Sequence, residues 1–228
     1  MTYTDDQLRR WSLEFSGRIT ASLSHEINNV MAIINELAGL LDDFTFAAEN
    51  GRPIDLERQK TTVRKITQQI YRGREYIQQL NSFAHMMDSK KQVLDLAKCA
   101  EQVSFVCQRF VRNRKVGLAA QPAADVPGVQ GNSFELLHMM FRLVVLAMDV
   151  SVPESGISLK VAMDNGEICM TVTGDTVLDK DEGFVKENQA LEGIIKKLGG
   201  ELTSLLRPGE TIRLNAVLPR DNWPRASG

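Results

Sequence analysis

Cysteine is scarce in this 228-residue chain, and histidine is equally rare. The three cysteines, Cys99, Cys107 and Cys169, are scattered among apolar neighbours, so they suggest neither a disulfide framework nor a CxxC redox pair. The three histidines do not occur in an HExxH motif or in a comparable zinc-binding spacing. The sequence therefore predicts buried structural thiols and argues against metal catalysis.

A charge surplus and long apolar runs are also missing. The 27 Lys and Arg residues are balanced by 29 Asp and Glu, giving a net charge of -2 and a pI of about 6.0. General nucleic-acid binding needs a cationic surplus, and a membrane-spanning helix needs about 18 or more consecutive apolar residues. The first residues, MTYTDDQLRR, lack the apolar segment of a secretion signal. We expect a cytoplasmic protein without nucleic-acid or membrane partners.

Residues 4–88 have the periodicity of two long helices separated by a turn at Glu49–Pro53. Apolar residues of the first helix alternate at steps of four and three, which makes a heptad seam of Leu23, Ile27, Val30, Ile34, Leu37, Leu41 and Phe44. The second helix keeps this rhythm with Leu56, Val63, Ile66, Ile70, Ile77, Leu80, Ala84 and Met87. Gly73 occupies one seam position, where it is expected to weaken the helix.

An isolated hairpin of this kind would leave much of its seam in water. Exposed apolar surface is unfavourable by about 25 cal/mol per Å². Pairing two hairpins into a four-helix bundle removes this exposure. The sequence therefore predicts a homodimer.

Residues 91–228 have a mixed pattern. Helices are predicted at Lys98–Arg112, Ser133–Asp149 and Asn188–Leu198. Strands, mostly antiparallel, are predicted at Val116–Ala119, Ile157–Met163, Glu167–Thr173, Glu201–Leu206 and Thr211–Leu218. The predicted fold is α+β, with a helical hairpin at 1–90 forming a dimeric four-helix bundle and a two-layer α/β sandwich at 91–228.

His25 is the most informative histidine. In the heptad register it points away from the bundle core, and Asn29 lies one turn later on the same face. Glu26 is its immediate neighbour, and small or polar residues share the outward strip, namely Ser22, Ala32 and Gly39. Imidazole has an ordinary pKa near 6.5, so a neutral ring nitrogen is available as a nucleophile, which an acidic neighbour could orient. An ordinary solvated histidine remains the alternative.

The segment Ala21–Asn29, which reads ASLSHEINN, resembles the H box of bacterial sensor histidine kinases. This resemblance implies that His25 takes a phosphoryl group, that Glu26 assists the transfer and that Asn29 supports it or helps dephosphorylation. Weaker likenesses to the end of the hairpin and to the family's ATP-binding domain occur at Leu80–Ala84, Val93–Leu96, Ile194–Gly200 and Gly209–Leu214. Together they imply a histidine kinase core along nearly the whole chain.

The departures from this family concern the nucleotide site. The two asparagines of the family's N box correspond to Arg142 and Leu146, and Leu146 offers no oxygen to Mg²⁺. Gly174 stands where the family's adenine-reading aspartate belongs. The glycine-rich lid is replaced by Asp181–Asn188, with one glycine and three carboxylates that would repel a triphosphate. We therefore expect a degenerate domain that uses no cofactor. The resemblance implies receiver domains of response regulators as partners, and Mg²⁺ would be supplied only by that partner.

An intact H box beside a degenerate nucleotide site resembles histidine phosphotransferases built from a kinase core. Such a protein would move a phosphoryl group between the aspartate of a response-regulator receiver domain and His25 without ATP. The expected partners are receiver domains and a second copy of the chain. The alternatives are an atypical active histidine kinase, a response-regulator phosphatase and a non-catalytic dimeric scaffold.

Overall fold

The computed structural model describes residues 4–87, 92–122, 128–164, 167–174, 182–206 and 212–219. Their contacts divide into two compact units, one of residues 18–84 and one of residues 4–17 together with those from 85 onward. The elements in chain order are α1 (Asp5–Glu49), α2 (Leu56–Met87), β1 (Gln92–Leu94), α3 (Leu96–Arg114), β2 (Gly117–Pro122), β3 (Val129–Gly131), α4 (Ser133–Asp149), β4 (Gly156–Asp164), β5 (Glu167–Gly174), α5 (Glu182–Lys197), β6 (Glu201–Leu206) and β7 (Ile212–Pro219).

The first unit is an antiparallel hairpin of α1 and α2. Contacts between the helices run in opposite directions along the two segments: Tyr76 meets Glu26, Gly73 meets Val30, and the Arg58 guanidinium lies over the Phe44 ring. The turn between the helices contains Gly51, whose φ of 78° is in the left-handed region that favours glycine. The side chain of Asp55 accepts a hydrogen bond from the Arg58 backbone N–H, which satisfies a free donor in the first turn of α2.

The predicted heptad seam of α2 divides into two rows. One row faces α1 and includes Gly73, where an added Cβ would come within 3.2 Å of Val30 Cγ1. Because Gly73 has no side chain, the two helices can approach closely at this point. The sequence analysis expected only that Gly73 would weaken the helix. The other row, which we call the heptad stripe, is exposed by 48–60% and comprises Leu56, Val63, Ile70 and Ile77.

The second unit is a two-layer α/β sandwich. Its five-stranded sheet has the order β2-β4-β5-β7-β6, in which β2 and β4 are parallel and the other neighbours are antiparallel. Burial alternates along β5 and β7, so one face of the sheet is apolar and is covered by α3, α4 and α5. Every residue from Leu136 to Met148 is buried, which makes α4 the central helix of this layer.

Several elements differ from the sequence-based expectation. The short strands β1 and β3 pair with each other and were not predicted as strands. Helix α5 begins at Glu182, six residues before the predicted start, so the described part of the segment assigned to a replaced lid is helical. Residues 4–17 pack with the C-terminal unit and not with the hairpin, because Phe15 contacts α4. Within the described ranges, no helix is both long enough and apolar enough to cross a bilayer.

Candidate functional site

His25 lies in the middle of α1 with its side chain exposed, as the heptad register predicts. Asn29 is also exposed and follows one helical turn later. Its Nδ2 atom lies 3.1 Å from His25 Nδ1, a hydrogen-bonding distance. The spacing i, i+4 produces this contact because such side chains are neighbours on a helix surface. The ring therefore has one nitrogen beside an amide, while Nε2 is at its opposite end.

Glu26 has a different environment from His25 although the two residues are adjacent in sequence. It is 7% exposed, and its Oε2 accepts a hydrogen bond of 3.0 Å from the Tyr76 hydroxyl of α2. The guanidinium of Arg72 lies 3.5 Å from the same oxygen and 5.7 Å from the Tyr76 ring centroid. Consecutive helical residues point about 100° apart, so Glu26 turns into the hairpin while His25 turns outward. The predicted role of Glu26 in orienting the imidazole gains no support from this geometry.

The sequence also predicts that a partner binds along the outward strip of Ser22, Ala32 and Gly39, but these residues are not equivalent in the structure. Ala32 and Gly39 are exposed, and an added Cβ at Gly39 would meet nothing within 4 Å. Ser22 is only 3% exposed, and its burial removes it from the outward strip. The strip that accompanies His25 therefore consists of Asn29, Ala32 and Gly39.

A buried cluster of charges surrounds Arg142 in the second unit. The Arg142 side chain is 3% exposed, and its Nη1 lies 2.5 Å from the Glu187 carboxylate on α5. Its Nη2 lies 3.7 Å from Glu14 and 3.5 Å from the Trp11 carbonyl, both on the first turns of α1. Its Nε donates a hydrogen bond of 2.9 Å to His138 Nε2. One cation thus joins α1, α4 and α5.

His138 is buried next to this cation. Its ring stacks on Phe15, with centroids 4.5 Å apart and an interplanar angle of 9°. Burial, together with the positive charges of Arg142 and Lys197, lowers the pKa of His138 from 6.5 to about 3. The ring is therefore neutral, and because an arginine N–H always donates, Nε2 accepts and the ring proton is on Nδ1.

The sequence analysis did not identify the residues that contact Glu26 and Arg142. Tyr76 lies three residues after Gly73, on the same side of α2, so the helical periodicity could have placed it opposite α1. Arg142 stands within an otherwise apolar helix, and a charge at such a position requires a buried partner. The sequence around Arg142 does not indicate that Glu187 is this partner, because the two residues are 45 positions apart.

No protein-family model matches the sequence, and a comparison with curated protein sequences finds no match. Solved structures do resemble it. The histidine kinase AdeS of Acinetobacter baumannii aligns over 82% of this chain and 96% of its own, with a TM-score of 0.50 and 10% identity. A histidine kinase from Burkholderia phymatum STM815 aligns over 87% of this chain and 98% of its own, with a TM-score of 0.50 and 11% identity.

A third similar structure is full-length ShkA in complex with AMPPNP. It aligns over 95% of this chain but only 46% of its own, with a TM-score of 0.50 and 15% identity. Identities this low establish the fold alone. The chain has the fold of a histidine kinase core. The predicted architecture, a helical hairpin followed by an α/β sandwich, is confirmed.

The sequence likeness assigns Arg142 and Leu146 to the N box, and neither side chain has an oxygen that could bind Mg²⁺. The Arg142 guanidinium is paired with Glu187, and Leu146 is fully buried. Among the described residues, no group of three or more His, Cys, Asp or Glu side chains could hold a metal ion. The stretch 175–181, which includes part of the segment predicted to replace the lid, lies outside the described residues.

The Tyr76–Glu26 hydrogen bond predicts a stability difference between two tyrosines of α2. The Tyr76→Phe substitution leaves a buried carboxylate oxygen with one donor fewer, and we expect the free energy of unfolding to fall by about 1–3 kcal/mol. Tyr71→Phe is the matched control because Tyr71 is 62% exposed, and it should change stability by less than about 0.5 kcal/mol. Urea denaturation of both variants measures the difference. Equal effects would show that the buried hydrogen bond contributes nothing specific.

The lowered pKa of His138 predicts that stability decreases as the solution becomes acidic. The unfolded chain takes up a proton on this residue below about pH 6.5, whereas the folded chain does so only near pH 3. Between about pH 7.5 and about pH 5.5 this linkage should cost about 1.4 kcal/mol of unfolding free energy. In His138→Gln, whose amide oxygen can still accept from Arg142, that part of the pH dependence should disappear. Urea denaturation at both pH values tests this, and an unchanged pH dependence in the variant would contradict it.

Proposed function

We propose that this protein is a histidine phosphotransfer protein of two-component signalling, which exchanges a phosphoryl group with receiver domains through His25 and does not use ATP. The observation that carries the proposal is the exposed imidazole on α1, with Asn29 beside Nδ1 and Nε2 at the far end of the ring. A docking partner would find only small or polar side chains along this strip, which supports close approach to the ring.

The proposed reaction exchanges one high-energy phosphoryl linkage for another. The lone pair of Nε2 attacks the phosphorus of an aspartyl phosphate on the receiver, the Nε2–P bond forms, and the P–O bond to the aspartate breaks. The aspartate leaves as a carboxylate, and the imidazole loses its remaining ring proton to water. The reverse reaction returns the group to another receiver. Mg²⁺ belongs to the receiver in this proposal, which needs no metal ligand on this chain.

An atypical histidine kinase is the second candidate, and the fold itself favours it. AdeS and the protein from Burkholderia phymatum are histidine kinases, and ShkA, a third similar structure, is in complex with AMPPNP. The Arg142 cluster favours phosphotransfer over this candidate. Arg142 stands where the sequence likeness places the N box, and it is buried and paired with Glu187. A ligand that separated this pair would leave a buried cation with less compensation.

Dimerisation is part of the proposal and rests on the heptad stripe. Leu56, Val63, Ile70 and Ile77 repeat every seven residues along α2 and are about half exposed in the single chain. Four apolar side chains in one row form a seam of the type that pairs helices across a bundle. A second copy of the hairpin would cover this row and remove its apolar surface from water.

The phosphotransfer proposal predicts that His25 is phosphorylated by receiver domains and not by ATP. A panel of receiver domains is charged with radiolabelled acetyl phosphate, freed of the small donor and mixed with the protein. We expect acid-labile label to move to the wild-type chain and not to His25→Ala. Incubation with labelled ATP and Mg²⁺ should give no label on either chain. His85→Ala is the matched control, because His85 is also an exposed helical histidine and should not matter.

Three results would replace this proposal. Label from ATP on His25 would establish an atypical kinase. Loss of label from the receiver with none appearing on His25 would establish a phosphatase. If no receiver exchanges label but His25→Ala still binds receivers as the wild type does, the protein is a scaffold.

The heptad stripe predicts the effect of a charge on association. Ile70→Glu puts a carboxylate into the proposed seam and should convert a dimer into a monomer at micromolar concentration, because an ionised group is costly to bury without a partner. Gln68→Glu adds the same charge at an exposed position outside the stripe and should leave the dimer intact. Size-exclusion chromatography with light scattering measures the mass. A wild-type monomer, or a dimer that tolerates Ile70→Glu, would contradict the prediction.

A further inference from the structure

A small cavity lies in the C-terminal unit, where the first turns of α1 meet α4 and α5. Its volume is about 110 Å³, and its walls include Leu8 and Ser12 of α1, Glu135 and His138 of α4, and Lys197 of α5. An apolar cavity of about 150 Å³ holds a ligand the size of benzene. By the same measure, this cavity has room for about four to six non-hydrogen atoms.

The ring of His138 supplies the cavity with a buried hydrogen-bond donor. The residue is 2% exposed, and its Nε2 accepts a hydrogen bond of 2.9 Å from Arg142 Nε, so the ring proton is on Nδ1. Among the residues that the structure describes, none accepts a hydrogen bond from Nδ1. A buried donor without an acceptor is unfavourable, so this N–H favours an occupant of the cavity that can accept.

Two cations dominate the electrostatic environment of this donor. Burial, followed by the positive charges of Arg142 and Lys197, lowers the pKa of His138 to about 3. Both cations act on the ring although each is paired, Arg142 with Glu187 and Lys197 with Glu135. The ion pair of Lys197, at 2.6 Å, uses one of the three donors of its ammonium group and leaves two for other acceptors. An anion beside Nδ1–H is therefore attracted, whereas a cation is repelled.

The remaining walls of the cavity are largely apolar. Leu8 of α1, Phe134 of α4, and Ile194 and Leu198 of α5 provide hydrocarbon surface. Ile194 and Leu198 lie one helical turn apart and are 5% and 0% exposed. An inorganic anion would leave this surface uncovered. A short organic acid covers it with an alkyl group while its carboxylate reaches the donors.

We propose that this cavity binds a short-chain monocarboxylate, whose oxygens accept hydrogen bonds from His138 Nδ1–H and from the Lys197 ammonium group. The site is separate from the proposed phosphotransfer chemistry, which takes place at His25. The ligand contacts α1, α4 and α5 together, because Leu8 and Ser12 belong to the first turns of α1. Since α1 also carries His25, an occupied cavity ties the beginning of that helix more firmly to the C-terminal unit.

Nitrogen NMR of the full chain with labelled histidine detects the ligand at its proposed donor. The Nδ1–H resonance of His138 is assigned by its loss in His138→Gln. We expect butyrate, titrated at neutral pH and constant ionic strength, to shift this resonance and to saturate at millimolar concentration or below. Butanamide has the size of butyrate without its charge, and inorganic phosphate has charge without an alkyl group. Both should bind at least about tenfold more weakly.

Two variants test the assigned contacts. Lys197→Gln should weaken butyrate binding about tenfold or more, because a charge-assisted hydrogen bond is lost. Lys196→Gln is the matched control, since Lys196 is an exposed residue of α5 outside the described lining of the cavity. Ser12→Leu extends an alkyl group into the cavity and should abolish binding. Urea denaturation verifies that each variant is folded.

Hydrogen exchange measures the effect of the ligand on α1. Butyrate should slow the exchange of backbone amides in residues 5–17 of the wild-type chain, because a ligand that binds only the docked helix opposes its local opening. The same amides of Ser12→Leu should not respond to butyrate. Unchanged exchange in a wild-type chain that binds butyrate would overturn the contact with α1.

The titrations decide the rest of the inference. A saturable shift of the His138 resonance that weakens in Lys197→Gln and disappears in Ser12→Leu supports the carboxylate site. The absence of a shift at tens of millimolar butyrate would mean that the cavity holds only water, which overturns the inference. Equal affinities of Lys197→Gln and Lys196→Gln, or binding that survives Ser12→Leu, would place the ligand elsewhere and overturn it as well. Equal binding of butanamide, or tighter binding of phosphate, would overturn the assignment to a carboxylate.

Discussion

A cation buried within an apolar helix must be compensated, and Arg142 imposes this requirement on the C-terminal unit. Its compensation comes from Glu187 on α5, from Glu14 and the Trp11 carbonyl on the first turns of α1, and from His138 one turn earlier on α4. Removing one partner of a buried ion pair typically costs about 3–5 kcal/mol, because the other charge stays buried. Arg142 therefore links three helices of this unit, in addition to their apolar contacts.

The same interaction bears on the nucleotide site, because the sequence likeness assigns Arg142 and Leu146 to the N box. Helix α4 keeps its place because its apolar residues cover the sheet, and this packing does not depend on what position 142 binds. A guanidinium at that position recruits carboxylates from the same chain, whereas a metal ligand would recruit a cation from solution. The fold and the chemistry of the site are thus separable. The likeness to histidine kinases of known structure is evidence for the fold and is weaker evidence for the chemistry.

Much of the fold was predictable from periodicity. Helix α4 and strand β6 have the predicted bounds, Ser133–Asp149 and Glu201–Leu206, because apolar spacing marked them and Asn132 supplies a cap at the start of α4. Strands β1 and β3 were missed because each has three residues, too few for a periodic signal. They also pair across about 35 residues of sequence. The start of α5 was placed late because residues 182–187 contain only two apolar residues, Phe184 and Val185, which are adjacent and form no helical stripe. Glu187 is positioned by its ion pair with Arg142.

The candidate site was predictable to the level of the helix face. The heptad register placed His25 and Asn29 outward and together, and the structure agrees. The same register allowed Glu26 to be read as a partner of the imidazole, since sequence proximity suggests contact. Adjacent helical residues diverge by about 100°, however, and the decisive contact of Glu26 is with Tyr76, fifty residues away. A pattern within one helix also cannot distinguish burial against the other helix of a hairpin from burial against a second copy.

The two rows of α2 differ in how far the hairpin buries them. Gly73 and Tyr76 are buried by α1 within the hairpin, where a Cβ added at position 73 would lie only 3.2 Å from Val30 Cγ1. The heptad stripe is apolar and evenly spaced, yet half of its surface remains exposed after the hairpin has formed. Evenly spaced apolar residues on a solvent-facing row are unfavourable for a monomer, because each leaves hydrocarbon in water without a compensating contact. The hairpin therefore accounts for the burial of only one of the two apolar rows of α2, and the proposed homodimer would bury the other.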